Sequence, residues 1–237
     1  MTDSIHTHDL ALLIFSRTAK AESTFKVIAH TAKSNEAASN YLYTSVHKLA
    51  KSTDLPYYIV DETKQEGQTF GCKLANAFDQ LFAKGFEYVI AIGNDCPSLT
   101  VSDVKIAAAK LKENGSVVGP TKQNGAYLIG MSTATFDREI FAKLSWQCAD
   151  TLSSLNQYFD TFLYTSFHLL PVKNDVNNLL DWQAVLPSLN KRVKQIIDSI
   201  LNIGKTFITF IKDEIYCRRN YPTTLLLRGP PMTSATF

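Results

Sequence analysis

The chain alternates between short, uninterrupted apolar runs and longer segments whose apolar residues recur at helical spacing. Residues 9–16 (DLALLIFS) and 88–93 (YVIAIG) are the clearest runs. A run of this kind is typical of a strand that is covered on both faces, as strands of a parallel sheet are. Further strands are predicted at residues 56–60, 116–119 and 126–131. The βαβαβ rhythm predicts an α/β fold with a mostly parallel sheet and right-handed crossovers. The strands at residues 10–15, 88–93 and 116–119 are expected to be neighbours in this sheet.

The segments between these strands have the patterns of helices. Ser34 is predicted to cap the first helix, and the second is expected to end near Gly85, where a left-handed C-terminal cap belongs. The second helix has one apolar face, formed by Phe70, Leu74, Phe78, Leu81 and Phe82. Two more helices are predicted at residues 102–111 and at about 149–159.

Composition and charge exclude several classes of protein. With 237 residues and 45% hydrophobic residues, the chain can bury one good core. A net charge of +2 is too balanced for a nucleic-acid binder. The four cysteines stand far apart, which argues against a zinc site or a disulfide framework. The polar N-terminus is no signal peptide and no apolar run could span a bilayer, so we expect a cytoplasmic protein.

Polar and charged residues follow three of the predicted strands. Ligands of open parallel sheets bind outside the carboxyl ends of the strands, where these residues would meet. The residues are Arg17, Lys20 and Lys26 after the first strand, Asn94 and Asp95 after the third, and residues 120–125 after the fourth. Such a combination suits a phosphate-bearing ligand held with a divalent cation, and the alternative for the basic residues is a solvated surface. We expect Asp95 and Gly125 to open onto the same rim of the sheet.

Asp95 has two interpretations on its local sequence. Mg²⁺ takes one or two carboxylates and fills its shell with phosphates and waters, a role that a carboxylate at a strand end can serve. Alternatively, Asp95 caps the turn into the helix near Ser102. Cys96 is next to it, but no histidine lies nearby in sequence, so a small buried residue is favoured over a nucleophile.

Several blocks resemble one bacterial family. They are residues 93–100 (GNDCPSLT), 118–120 (VGP) and 125–130 (GAYLIG), with weaker blocks at 68–71, 140–146 and 174–177. Together, from about Leu10 to Trp182, they resemble the uncharacterised family of glycosyltransferase-like proteins described as radical-SAM/selenodomain-associated. That family is related to MobA-like nucleotidyltransferases and GT-A glycosyltransferases. The resemblance implies a three-layer α/β/α fold of the nucleotide-diphospho-sugar transferase (GT-A) type.

The resemblance also implies a cofactor, a ligand and roles for residues. Asp95 would be catalytic and would bind Mg²⁺ or Mn²⁺, with Asp175 and Asn177 at the positions of the family's late aspartates. A nucleotide or nucleotide-sugar would be bound by Arg17, Lys20, Lys26 and Asn94. For residues 174–178, a turn that caps the following helix is nearly as good an interpretation.

Two departures from the family pattern weaken the expectation of catalysis. The family's Asp-Gly-Gly-Tyr is replaced by residues 123–126 (QNGA), which removes a carboxylate from the acceptor side, formed by Gln123, Asn124, Gly125 and Tyr127. The first loop lacks the family's Pro and Gly, and Glu22 intrudes among its basic residues. The function is therefore either a metal-dependent glycosyl- or nucleotidyltransferase with an unknown acceptor, or a non-catalytic relative that binds a ligand or supports assembly.

The C-terminal part lies outside the resemblance. We expect a transferase-like domain at residues 1–188 and an extension at residues 189–237. Apolar residues between 189 and 217 recur at helical spacing, and we expect this stripe to pack on its own domain. The apolar tail at residues 221–237 suggests docking on a second subunit in a homodimer. For the helical stripe, lying on a membrane is a weaker option, because Asp198, Asp213 and Glu214 dilute its positive charge.

Overall fold

The computed structural model describes residues 9–162 and 167–201. Within these residues, six strands form one sheet in the order β2-β1-β3-β5-β4-β6. The strands are β1 (Leu10–Phe15), β2 (Tyr57–Val60), β3 (Tyr88–Ile92), β4 (Ser116–Pro120), β5 (Ala126–Ser132) and β6 (Phe167–Leu169). The first five lie where the sequence predicts strands, and β6 had no counterpart among the predictions.

Eight α-helices lie in the same part of the chain. They are α1 (Ala19–Phe25), α2 (Ala32–Lys51), α3 (Phe70–Phe82), α4 (Val101–Asn114), α5 (Arg138–Ala142), α6 (Thr151–Asp160), α7 (Asp181–Val185) and α8 (Lys191–Leu201). The four helices predicted between strands correspond to α2, α3, α4 and α6. Helix α1 is new, because the sequence predicted a loop after the first strand.

Five of the six strands run in the same direction. Strand β1 pairs in parallel with β2 and β3, and β4 pairs in parallel with β6. Strand β5 is antiparallel and lies between β3 and β4. We expected β1, β3 and β4 to be neighbours; this is correct for β1 and β3 but wrong for β4. The short connection from β4 to β5 makes them a hairpin, so β5 enters the sheet beside β3.

The helix ends show which residues cap the helices. The N-cap of α2 is Thr31, whose Oγ1 accepts a hydrogen bond from the backbone N–H of Ser34 at 3.1 Å. The predicted cap at Ser34 is therefore wrong by three residues, and Ser34 lies in the first turn. Gly85 has the expected left-handed backbone, with a φ of 94°. Helix α4 begins with a capping box formed by Thr100 and Asp103.

The sheet is covered on both faces, which explains the uninterrupted apolar runs. Ala11 and Leu13 of β1 face a core formed with α3, α5 and α6. Leu12 and Ile14 face the other way, into a core formed with α2 and α4. The molecule therefore has three layers, and the predicted α/β/α fold with a mostly parallel sheet is confirmed.

A third apolar cluster joins the last described helix to the domain. Ile197 and Leu201 of α8 are buried in one cluster with Leu42 of α2 and Trp182 of α7. Helix α8 packs against α2. The apolar tail and the rest of the predicted extension, residues 202–237, lie outside the described residues.

In the part of the chain that the structure describes, no helix is both long enough and apolar enough to cross a bilayer.

Candidate active site

A cavity of about 730 Å³ opens at the carboxyl ends of β1 and β3. Its walls include residues that follow these strands and residues from the connection between β4 and β5. Asp95 and Gly125 both line it, so the prediction that they open onto the same rim is confirmed. The sheet thus brings together residues that are distant in sequence, as open parallel sheets do at this edge.

Asp95 follows β3 and faces this cavity. Its Oδ2 accepts a hydrogen bond from Lys26 Nζ at 2.8 Å, whereas its Oδ1 is shielded from solvent and has no partner. The side chain as a whole is 34% exposed. Burial raises the pKa of the Asp95 carboxyl, an effect that the positive charge of Lys26 opposes. Because Thr100 caps α4, the interpretation of Asp95 as a helix cap is wrong.

A second carboxylate comes from the loop before α7. Asp175 lines the same cavity, and its Oδ1 is also buried without a partner. The negative charge of Asp175 contributes to the raised pKa of Asp95, although burial and other charges matter more. The backbone N–H of Val176 donates to the Asp95 carbonyl at 2.8 Å, which fixes the loop next to Asp95.

Asn177 lies beside Asp175 in this loop. Its Nδ2 donates to Asp175 Oδ2 at 2.8 Å, so the amide orients the carboxylate. The turn into α7 is held mainly by Asp181, whose Oδ2 accepts from the backbone N–H groups of Asn177 and Asn178 at 2.7 and 2.9 Å. Bends and a turn occupy residues 177–180 rather than 174–178, and Asp175 Oδ1 has no partner.

The basic residues after β1 are paired with a buried glutamate. Lys26 Nζ lies 3.1 Å from Glu22 Oε1, and Arg17 Nη1 lies 3.4 Å from Glu22 Oε2. Burial lowers the pKa of Lys26, but Asp95 and Glu22 outweigh it and the pKa is raised. Glu22 therefore belongs to the site. In the sequence analysis, Glu22 was noted only as a departure from the family pattern. Its spacing of four residues before Lys26 is nevertheless that of an ion pair on a helix.

Lys20 and Asn94 are placed differently from each other. Lys20 is exposed on α1 and lies in a separate shallow groove with Arg17 and Glu62. Asn94 is 6% exposed, lines the main cavity and has an unpartnered Nδ2. The structure thus brings Arg17, Lys26 and Asn94 to the cavity and leaves Lys20 outside it.

A buried asparagine fixes the segment that carries Lys26. Asn35 Oδ1 accepts from the backbone N–H groups of Ile28 and Ala29 at 2.7 and 3.1 Å. Its Nδ2 donates to the carbonyls of Ser23 and Lys26 at 2.7 and 2.8 Å. All four hydrogen bonds join helix α2 to the chain just before and after Lys26. Sequence reasoning missed Asn35, because nothing local distinguishes it from a surface residue of an amphipathic helix.

The connection between β4 and β5 contains the residues that the sequence analysis assigned to the acceptor side. Gln123 and Gly125 line the cavity. Gln123 Nε2 donates to Asp181 Oδ1 at 3.1 Å, and the N–H of Gly125 donates to Thr121 Oγ1 at 3.1 Å. Asn124 has a left-handed backbone with a φ of 61°. Its carbonyl accepts from the N–H of Leu152 at 2.9 Å, so it contacts α6.

Tyr127 has a structural role in this wall of the cavity. It is buried, and its hydroxyl donates to the carbonyl of Pro171 at 3.0 Å. Its ring lies against Gly119, where a Cβ would collide with the ring atoms. Burial raises the pKa of the Tyr127 hydroxyl. The neutral phenol is thus held between β4 and the segment that leads to Asp175.

The far end of the cavity is aromatic. Phe70 lies between Phe15 and Trp146, with ring centroids 5.6 Å from each. The indole N–H of Trp146 donates to the Phe141 carbonyl at 2.9 Å, so the ring offers an apolar surface. A Cβ at Gly71 would collide with Trp146 and with the Ala142 carbonyl. The sequence analysis gave this aromatic wall no role, although two of the weaker family-like blocks contain Phe70, Gly71 and Trp146.

Cys96 has the properties of a core residue. Its side chain is buried, and burial raises the pKa of the thiol to about 11. A thiol with this pKa is almost fully protonated at neutral pH and is a poor nucleophile. The interpretation of Cys96 as a small buried residue is therefore favoured.

The cavity offers few protein ligands to a divalent cation. Within residues 9–162 and 167–201, no cluster of three or more His, Cys, Asp or Glu side chains has the arrangement of a metal site. Mg²⁺, however, usually takes one or two carboxylates and completes its shell with substrate phosphates and water. The unpartnered Oδ1 atoms of Asp95 and Asp175 fit that requirement.

Several solved structures are similar to this chain. One similar structure is a Desulfovibrio desulfuricans G20 protein, provisionally named a nucleotide-diphospho-sugar transferase. Its sequence is 17% identical to this chain, the TM-score is 0.65, and the match covers 90% of this chain and 98% of the Desulfovibrio chain. Rv0371c of Mycobacterium tuberculosis H37Rv in complex with manganese is 11% identical with a TM-score of 0.40, covering 76% and 99%. A cytidylyltransferase of Leptospira borgpetersenii is 9% identical with a TM-score of 0.41, covering 91% and 99%.

Of these three, the Desulfovibrio protein alone is similar enough to support the fold assignment, and at this identity it supports the fold and nothing further. No curated protein matches the chain. A family model matches residues 19–147, which is more than half of the chain and includes Lys26, Asp95 and Gly125. The chain belongs to the family described as uncharacterized protein conserved in bacteria (DUF2064).

Proposed function

We propose that the protein is a metal-dependent glycosyl- or nucleotidyltransferase that uses a nucleotide-activated donor. The observation that carries this proposal is the pair of buried, unpartnered Oδ1 atoms of Asp95 and Asp175. They lie in one cavity with Lys26 and Arg17. Two free carboxylate oxygens beside two cations are what a divalent ion and a diphosphate together require.

Each part of the cavity has a role in this proposal. Asp95 and Asp175 would hold Mg²⁺ or Mn²⁺, and Asn177 orients Asp175 through its amide. Lys26 and Arg17 would donate to phosphate oxygens, and Asn94 Nδ2 supplies a further donor. A cation held there would stabilise the negative charge that develops on the diphosphate leaving group.

The remaining walls would position the donor and the acceptor. The connection between β4 and β5, with Gln123 and Gly125, faces the charged end of the cavity from the acceptor side. The hydrogen bond between Gln123 and Asp181 holds this wall in place. Fixing both reactants beside the cation is itself a large part of catalysis in group transfer.

A non-catalytic relative that binds a ligand is the second candidate. Two observations favour it. Gln123 stands where the family pattern has a carboxylate, and its amide is engaged with Asp181. Glu22 also compensates the charges of Arg17 and Lys26 before any phosphate arrives. A protein of this kind would bind a nucleotide and show no turnover.

Three finer assignments belong to the same proposal. We extend the family membership to the radical-SAM/selenodomain-associated group and its MobA-like relatives on the residue blocks that resemble them. We place the protein in the cytoplasm. We also assign the extension at residues 189–237 a role in a homodimer, which sedimentation of a chain truncated after Leu201, with the contact between α8 and α2 kept, would test.

Calorimetry on the full chain tests the proposal. Nucleotides and nucleotide sugars are titrated with Mg²⁺, with Mn²⁺ and with neither, and thermal shifts are measured in parallel because a ligand of the native state raises its melting point. We expect at least one nucleotide diphosphate or nucleotide sugar to bind in a metal-dependent way. Binding with product formation supports the transferase, and binding without turnover supports the second candidate. No heat and no stabilisation with any compound would contradict both.

A further inference from the structure

Lys26 is held between two carboxylates that differ in burial. Its Nζ lies 2.8 Å from Asp95 Oδ2 and 3.1 Å from Glu22 Oε1. The side chain of Glu22 is 4% exposed, whereas that of Asp95 is 34% exposed. Both carboxylates line the cavity, but the Glu22 side chain is almost closed to solvent, whereas about one third of the Asp95 side chain is accessible.

Glu22 is the fixed member of this arrangement. Its second oxygen, Oε2, lies 3.4 Å from Arg17 Nη1, so each carboxylate oxygen faces a cation. Loss of Lys26 would leave this nearly buried carboxylate with the longer Arg17 contact, and taking a partner from a buried charge is costly. Breaking an ion pair that borders solvent costs much less. When the Lys26 ammonium moves, its contact with Asp95 is therefore the one that breaks.

Because of these contacts, the Lys26 ammonium already serves as the counter-ion of Asp95. A divalent cation at Asp95 Oδ1 would meet the positive charge of Lys26 at short range, and this repulsion opposes its binding. An anionic phosphate that accepts a hydrogen bond from Lys26 removes the repulsion and adds ligands for the cation. The cation and the phosphate should then bind weakly when alone and tightly when together.

From these contacts we infer that Glu22 is a positioning residue that acts through Lys26, and that Lys26 is the resident counter-ion of Asp95. Divalent-cation binding and diphosphate binding are thereby mutually dependent. When both ligands enter, the ammonium leaves Asp95 Oδ2, stays bonded to Glu22 and donates to a phosphate oxygen. The inference rests on the cation site of the proposed function, and it concerns how the ligands bind rather than which group is transferred.

Calorimetry with Mn²⁺ alone, with inorganic pyrophosphate alone and with both tests this coupling. In the wild type, we expect pyrophosphate to raise the Mn²⁺ affinity. Lys26→Met keeps a side chain of similar length and removes its charge. We expect this variant to bind Mn²⁺ alone at least about tenfold more tightly, because the competing cation is gone. It should also bind pyrophosphate more weakly and show less coupling between the two ligands.

Lys20→Met is the matched control, because Lys20 lies on helix α1, which ends at the residue before Lys26, and does not line the cavity. It should leave all three titrations unchanged. Glu22→Gln keeps the size of the side chain and removes its charge, so that Lys26 pairs with Asp95 alone. We expect weaker Mn²⁺ binding in this variant. In the Lys26→Met background, Glu22→Gln should have a smaller effect, since a residue that acts through Lys26 has little to act on.

The outcomes separate this inference from the proposed function. If Lys26→Met binds Mn²⁺ no more tightly than the wild type, including the case in which neither binds it, the inference is wrong. It is also wrong if pyrophosphate does not raise the wild-type Mn²⁺ affinity. Local damage to the fold cannot account for tighter metal binding. If the coupling is present but no nucleotide sugar binds, the inference stands and the transferase proposal fails.

Discussion

Lys26 Nζ and Asp95 Oδ2 lie 2.8 Å apart, although 69 positions separate the two residues along the chain. Their meeting follows from the parallel pairing of β1 with β3, which brings both carboxyl ends to one rim of the sheet. The segment after β1 then passes through α1 and returns Lys26 to this rim. The ion pair is thus a property of the sheet order and of the position of α1.

Asp95→Asn tests the cation site. The variant keeps the size of the side chain and removes the charge that holds a hard cation. We expect it to fold normally and to lose metal-dependent nucleotide affinity by at least about tenfold, measured by calorimetry with and without Mn²⁺. Asp79→Asn, at an exposed position on α3, is the control and should bind as the wild type does. Unchanged metal-dependent binding in Asp95→Asn would remove Asp95 from the site.

Asn35→Ala tests the support of the Lys26 segment. The change removes four hydrogen bonds and leaves the backbone groups of Ser23, Lys26, Ile28 and Ala29 without these partners. We expect the free energy of unfolding to fall by about 2–4 kcal/mol, measured by urea denaturation.

The matched control for this variant is Asn40→Ala, at an exposed position on the same helix. Because alanine favours helices more than asparagine does, this change should cost nothing or stabilise slightly. A loss in Asn35→Ala no larger than that in Asn40→Ala would mean that the four hydrogen bonds do not fix the segment.

The cysteines should differ in reactivity. Cys148 is exposed, whereas Cys96 is buried with a pKa of about 11. At pH 7 we expect iodoacetamide to label Cys148 at least about 100-fold faster than Cys96, because the thiolate is the reactive form. Peptide mass spectrometry measures both rates, and in urea Cys96 should become reactive. Rapid labelling of Cys96 in the native protein would restore it as a candidate nucleophile.

Glu62 should make stability depend on pH. Burial acts to raise the pKa of Glu62, but hydrogen bonds from the backbone N–H and hydroxyl of Thr18, both at 2.6 Å, outweigh it and the pKa is lowered. A lowered folded-state pKa gives stability that is fully present above the unfolded pKa and is lost as pH falls through the folded value.

Urea denaturation of the wild type and Glu62→Gln between pH 7 and pH 3 measures this contribution. We expect the wild type to be more stable by about 1 kcal/mol at neutral pH, because hydrogen bonds to a charged acceptor are the stronger ones. The difference should shrink as pH falls below the unmodified value of 4.5. A difference that is the same at pH 7 and pH 3 would show that the carboxylate charge is not involved.

Five of the six described strands and most helices could be predicted because their signals are local. The run at residues 10–15 is apolar throughout, and the structure buries its two sides in different cores. Strand order is not a local property, and the position of β5 between β3 and β4 was therefore missed. Helix α1 was missed for a related reason: its seven residues (AKAESTF) have no apolar stripe, and its buried residue is Glu22.

At the site, the sequence identified Asp95, Asp175, Asn177 and the basic residues. They were identified because they follow predicted strands or match the pattern of a known family. The structure brings Asp95, Asp175 and Lys26 to one cavity, and it leaves Lys20 outside. Their roles in binding and catalysis stay predictions. The sequence did not identify Glu22 or Asn35 as members of the site, because the importance of each comes from partners that the tertiary fold brings together.

The sequence by itself determined five of the six strands in the described residues, that the sheet is covered on both faces, and which rim collects the polar residues. These properties follow from apolar periodicity and from the direction of parallel strands, and both can be read within a few residues. Only the tertiary structure decided that Lys26 pairs with Asp95 and Glu22, and that Asp95 and Asp175 each keep a free oxygen. Such contacts depend on distances between side chains far apart in the chain, and packing of the whole domain fixes them.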